Sequence, residues 1–141
     1  MSSRANRLQP AVEQAKQRSE DALVKLAAQQ QSLARAEQQL SELRRYRQEY
    51  ASTGDGALGV AALLNRQKFV ERIDEAIVQQ TAEISRQNRQ LEQVRDSWQQ
   101  AHARESALDS VIAQHREQER RAEDRHEQTE IDERFQHRRL R

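Results

Sequence analysis

Cysteine is absent from the 141 residues, proline occurs once, and glycine occurs only at Gly54, Gly56 and Gly59. Without cysteine there is no disulfide framework and no thiolate metal site, which fits a reducing compartment. With so little proline and glycine, almost nothing interrupts the chain except one short segment. Aromatic residues are scarce at 4%, and hydrophobic residues reach 35% against 33% charged, too polar a balance for an ordinary globular core. Neither charge sign dominates. The 24 basic and 23 acidic residues interleave, so no broad electrostatic footprint for nucleic acid exists and a basic-zipper reading fails. No long hydrophobic run is present either: the longest, 57–64, is interrupted by Gly59 and falls far short of the roughly 20 residues of a membrane span. Residues 1–18 are polar and contain no signal-peptide apolar core, so neither export by a signal peptide nor membrane insertion is expected, and the cytoplasm is the default.

What is present is a seam of apolar residues spaced alternately three and four apart, once on each side of the glycines. In the first arm it runs Leu8, Val12, Ala15, Ser19, Ala22, Leu26, Gln29, Leu33, Ala36, Leu40, Leu43, Arg47, Tyr50. In the second it runs Leu63, Arg66, Val70, Ile73, Ile77, Gln80, Ile84, Gln87, Leu91, Val94, Trp98, Ala101, Glu105, Leu108, Ile112. Charge-rich composition alone is compatible with disorder, but sustained heptads argue for a coiled coil. The fold class is therefore all-α: a long two-helix antiparallel coiled coil, with a first helix over about residues 5–52, a turn over about 53–60 and a second helix over about 61–135. The whole chain reads as one coiled-coil unit.

The glycines formally satisfy the dinucleotide fingerprint G-x-G-x-x-G, with Asp74 downstream. That motif works only after a buried strand that aims the turn at a pyrophosphate, whereas a helical heptad precedes Gly54. A chain reversal explains them instead, with Gly54 stopping the first helix and Asp55 or a neighbour capping the second. Reversal near residues 56–58 sets a register that pairs Gln29 with Gln87 as one polar layer, places Trp98 across from Ala15, Ser19 and Ala22, and sets residue 115 opposite Met1. The second seam turns polar just after Ile112, where the first arm runs out.

Beyond about residue 113 the second helix overhangs, because His115, Glu119, Ala122, His126, Thr129 and Glu133 offer no apolar seam. Glu117 with Arg121 and Glu130 with Arg134 have the favourable i,i+4 order for a solvated helix, with fraying expected near the terminus. His115, His126 and His137 recur on one face but lie about three turns apart, too far to share a metal ion. Arg4 and Arg7 at the start, and Arg134, Arg138, Arg139 and Arg141 at the end, leave both termini positive. They form either a solvated coil end or a surface for an acidic partner.

Near the turn a second apolar stripe accompanies the first. Gln39, Leu43, Tyr46 and Tyr50 follow a 4-3-4 spacing, as do Phe69, Ile73, Ala76 and Gln80. In the proposed register Tyr46 opposes Phe69 and Leu43 opposes Ile73, so the stripes merge into one patch that holds three of the five aromatic side chains. Such a cluster either forms a docking site or is covered by residues 57–64 folding back. A two-helix coil offers no closed pocket that could tune a catalytic side chain, so an enzyme is not expected.

Tyr46-Arg47-Gln48-Glu49-Tyr50, a short glycine-containing loop, Phe69 with Ile73, Ala76-Ile77 and Ser97-Trp98, placed on two helices of this length, resemble the FliJ family, the soluble component of the bacterial flagellar type III export apparatus. The likeness spans the chain. It implies a shape similar to the central-stalk gamma subunit of rotary ATP synthases, with no catalytic residue, no cofactor and no metal. It further implies a coil that inserts into the hexameric export ATPase, promotes its assembly, contacts the cytoplasmic domain of the export gate and escorts export chaperones. Such a protein would be a monomer when free and peripheral to the inner membrane through its partners. The family's gate-binding patch maps onto Gln39, Leu43, Tyr46, Tyr50, Phe69, Ile73, Ala76 and Gln80. Here Gln80 stands where a histidine is common, and Ile73 where a leucine is. That leaves Arg4, Arg7, Leu8, Val12, Leu108 and Ile112 to face the ATPase ring. The equivalent stalk of a virulence injectisome and a purely structural, self-associating coiled coil are the alternatives.

Overall fold

Helix α1 spans Arg4–Ser52 and helix α2 spans Val60–Arg139 in the computed structural model, which describes residues 3–52 and 59–139. No strand occurs among the described residues, and the two helices pack against each other as a helical hairpin. Ser3 caps α1: its carbonyl accepts the first helical bond from the amide of Arg7 at 3.0 Å, and its hydroxyl accepts from the amide of Asn6 at 3.1 Å, which satisfies one of the donors that a helix start leaves unpaired. Pro10 sits inside α1, where the missing N–H removes one bond of the helical ladder. The helix nonetheless continues to Ser52, with Pro10 on its exposed side. The cap of α2 is Gly59, whose carbonyl accepts from Leu63 N at 3.1 Å. The expected roles of Gly54 and Asp55 lie outside the described residues. Because α1 is helical up to Ser52, no strand leads into the glycines and the dinucleotide reading has no structural basis.

Two compact units are recognisable, one formed by Met1–Asp21 with Trp98–Arg141 and the other by Ala22–Ser97. In the first, here the terminal unit, Ala5, Val12 and Ile112 form a buried cluster against which Leu8 and Leu108 pack. Ala15 and Ser19 are buried in the same unit, and the bulky Trp98 is half-buried, stacked on His102 at a 5.2 Å centroid separation and 14°. Arg116 donates to the side chain of Gln9 across the helix pair at 3.3 Å.

In the second, here the turn-side unit, Leu26, Ala36, Ile73 and Gln87 are buried. Polar groups make most of its specific cross-helix links. Gln29 Nε2 donates to the Gln87 carbonyl at 3.2 Å, the layer that the register predicts. Gln80 Nε2 donates to the Ala36 carbonyl at 2.9 Å and to Gln39 Oε1 at 3.1 Å. The amide of Gln87 turns along its own helix to Glu83 at 3.1 Å, which leaves Gln87 Oε1 buried with no partner.

Three expected seam residues are not interior. Arg47 and Tyr50 are exposed, because Arg47 reaches outward to pair with Asp74 and Tyr50 turns to Phe69. Leu63 is 47% exposed.

Past Glu119 every described residue of α2 is exposed. Half-burial thus persists to His115, Glu117 and Glu119, a little further than the seam alone indicates. The helix then continues to Arg139 through ion pairs along its surface. Glu117 meets Arg120 at 2.8 Å and Arg121 at 3.1 Å, and Arg120 meets Asp124 at 3.6 Å. Glu130 takes His126 as its neighbour at 3.2 Å rather than Arg134.

Candidate interaction surface

The spacing of Gln39, Leu43, Tyr46 and Tyr50 on α1 keeps them on one helical face, and that of Phe69, Ile73, Ala76 and Gln80 does the same on α2. All eight lie in the turn-side unit. Tyr46, Tyr50 and Phe69 are 48%, 40% and 44% exposed. These are large aromatic surfaces left open to water. Tyr50 and Phe69 are in contact, with ring centroids 4.6 Å apart and planes tilted by 42°. The cross-helix aromatic contact is therefore one turn of α1 further on than the expected Tyr46–Phe69 opposition. Tyr46 instead lies under the guanidinium of Arg45, 5.9 Å from the ring centroid, within the range of a cation–π interaction.

The other members of the set play supporting parts. Ile73 is buried, at 7% exposure, so it lies beneath the aromatic surface as part of the core. Leu43 and Ala76 are half-buried. Gln39 and Gln80 are hydrogen-bonded to each other and close the edge of the patch with amide groups. Arg47 spans the helices to Asp74 as a forked pair, its second nitrogen at 3.5 Å, and the carboxylate raises the guanidinium's affinity for its proton. This pair and the Gln80 bonds fix how the two halves of the patch face each other.

Val60 and Leu64, read from sequence only as part of the apolar run 57–64, are 75% and 53% exposed and belong to the first turns of α2. With Leu63 they add exposed apolar surface to this unit. Of the expected cover 57–64, residues 60–64 are helical, and 57 and 58 lie outside the described residues.

Of the second set, Val12 and Ile112 are buried and Leu8 and Leu108 pack on them, so these four hold the hairpin together. Only Arg4 and Arg7 are exposed there, and they flank a shallow groove with Leu8 and His115. No group of three or more potential metal ligands occurs among the described residues. No described helix is long and apolar enough to cross a membrane.

No curated protein and no solved structure matches this chain. The family described as Flagellar FliJ protein matches residues 3–141. The chain therefore belongs to the FliJ family and is a component of flagellar type III protein export.

Proposed function

We propose that this chain is a stalk of the flagellar export machinery, a non-catalytic coil that binds the hexameric export ATPase, promotes its assembly and couples it to the cytoplasmic domain of the export gate. Membership of the FliJ family supports this reading. The observation that carries it is the exposed aromatic surface of Tyr46, Tyr50 and Phe69, because a small set of half-open aromatic side chains is the common anatomy of a binding hot spot. The gate-binding set is Gln39, Leu43, Tyr46, Tyr50, Phe69, Ala76 and Gln80, with Ile73 supporting it from below. Arg4 and Arg7 would meet the ATPase, because the apolar residues beside them are used between the helices. The same protein would escort emptied export chaperones. It would act in the cytoplasm, reach the inner membrane only through its partners, and be a monomer when free.

The test is the hydrolysis rate and oligomeric state of the cognate export ATPase with and without this chain. Stimulated hydrolysis with hexamer formation supports the stalk. No effect and no co-elution would remove the ATPase from the proposal and leave a structural coil. Separately, the double variant Tyr46→Ala/Phe69→Ala should stimulate the ATPase normally yet lose the gate.

A further inference from the structure

Gln80 and Gln87 lie one heptad apart in the seam of α2, and Ala22 and Ala36 lie one heptad to either side of Gln29 in the seam of α1. All of them are buried or half-buried in the turn-side unit. In the observed register Gln29 reaches the Gln87 carbonyl, and Gln80 reaches the carbonyl of Ala36, whose small side chain leaves that oxygen open to an amide. If α2 moved one heptad away from the turn, the polar layers would be the same in kind. Gln29 would then face Gln80, and Gln87 would face Ala22.

We propose that the turn-side helix pair is a two-register coil, in which α2 slides along α1 between the observed register and this second one. The step is one heptad, about 10 Å at about 1.5 Å per residue, and a whole heptad returns every seam residue to the seam. Counted outward from the Gln29–Gln87 contact, Leu33 and Leu40 now lie level with Ile84 and Ile77, and after the step they would meet Ile77 and Val70. Lys25 would stand beside Gln87 as Gln39 now stands beside Gln80. There its ammonium can donate to Gln87 Oε1, which is buried without a partner in the observed register. At the other end Val60, now 75% exposed, would come level with Tyr50.

Other steps lack this match. A whole heptad the other way sets Gln29 against Val94 and Gln80 against Leu43. A half-heptad step in either direction sets all three glutamines against leucine or isoleucine. Branched side chains there would shield the backbone carbonyls and leave buried amides without acceptors. Two features hold the observed register as the ground state. The Arg47–Asp74 pair latches it in the turn-side unit. In the terminal unit the step would carry Ile112 past the start of α1 and off Ala5 and Val12. Sliding also separates Phe69 from Tyr50, whose rings now touch, so the aromatic surface has a different outline in each register. The inference concerns the coil itself and holds whatever that surface binds.

Disulfide trapping reads the registers directly, because the chain has no cysteine of its own. Leu40→Cys with Ile77→Cys reports the observed register and Leu40→Cys with Val70→Cys the second. Leu40→Cys with Ile84→Cys reports an equal slide in the wrong direction. In a glutathione redox buffer the Val70 pair should close at least about tenfold faster than the Ile84 pair. Gln87→Leu sets a leucine against Gln29 in the observed register only, and should speed closure of the Val70 pair about tenfold. Gln80→Leu does so in the second register only, and should slow it by about as much. Circular dichroism checks that the helices persist, and general loosening would move both variants the same way. Equal closure of the Val70 and Ile84 pairs overturns the proposal. So does a response of the same sign to Gln87→Leu and Gln80→Leu.

Discussion

The terminal unit and the turn-side unit join the same two helices by different chemistry. In the terminal unit the contact is a cluster of aliphatic side chains, Ala5, Val12 and Ile112 with Leu8 and Leu108. In the turn-side unit the specific links are hydrogen bonds donated by the side-chain amides of Gln29 and Gln80 and the Arg47–Asp74 pair, while Tyr46, Tyr50 and Phe69 stay open to water. A two-helix pair has only one seam to fill. Where directional polar contacts fix the pairing, aromatic side chains are not needed inside and remain available at the surface.

The strongest test of that contrast is to remove aliphatic packing from each unit in turn. Ile112→Ala in the terminal unit and Leu26→Ala in the turn-side unit should each cost about 2–5 kcal/mol if the cavity does not collapse, read by chemical denaturation. Equal losses in both would show that polar links guide the turn-side unit without carrying it. Next in size, Tyr46→Ala with Phe69→Ala should weaken gate binding by about tenfold or more while circular dichroism stays nearly unchanged. A large loss of helicity would identify these rings as core and sink the interface. Converting the polar layer to the aliphatic kind is the third test. Gln29→Leu with Gln87→Leu removes the unpartnered buried oxygen of Gln87 and should raise the melting temperature, since that oxygen carries a desolvation cost that an apolar side chain does not. Loss of a single pairing register, visible as broadened cross-helix cross-linking, should accompany it.

A pH-dependent effect is smaller. Hydrogen bonds from Arg86, then from Gln87, hold the Glu83 carboxyl at about 2, against its ordinary 4.5. A depressed carboxyl favours the fold above the unfolded value, so this contribution is complete above pH 4.5 and disappears as pH falls towards 2. Thermal melts of the protein and of Glu83→Gln should therefore differ at neutral pH and converge in acid. The smallest effect is expected at the cap of α2, where Gly59→Ser should add a few tenths of a kcal/mol, and a Cβ there meets nothing within 4 Å.

The hairpin was legible because periodicity reports burial directly: from Leu8 to Leu43 and from Arg66 to Ile112 every seam residue is buried or half-buried. The register was legible because polar residues in the two seams, Gln29 and Gln87, should share a layer, and the Gln29 amide does reach the Gln87 backbone carbonyl. What periodicity could not report is the behaviour of long side chains at the margins. Arg47 occupies a seam position but has enough reach to leave it for Asp74 one turn away. Ile73 belongs to both the seam and the stripe, and at 7% exposure it follows the seam. Spacing fixes an angle around the helix to within tens of degrees, and the boundary between core and surface is narrower than that. Glu130 similarly had two possible neighbours at i±4, and rotamer geometry chose His126.

The solvated length of α2 past Glu119 also sets a clock. Its amides are protected only by the helix's own hydrogen bonds, so they open locally, without waiting for the rest of the molecule to unfold. Amide exchange should therefore be fast across 120–139 and slow around Ile112. Trypsin should cut first after Arg120, Arg121 and Arg125, all exposed, at a rate governed by helix fraying rather than by global stability. A shortened chain ending in that region should persist long after the tail has gone.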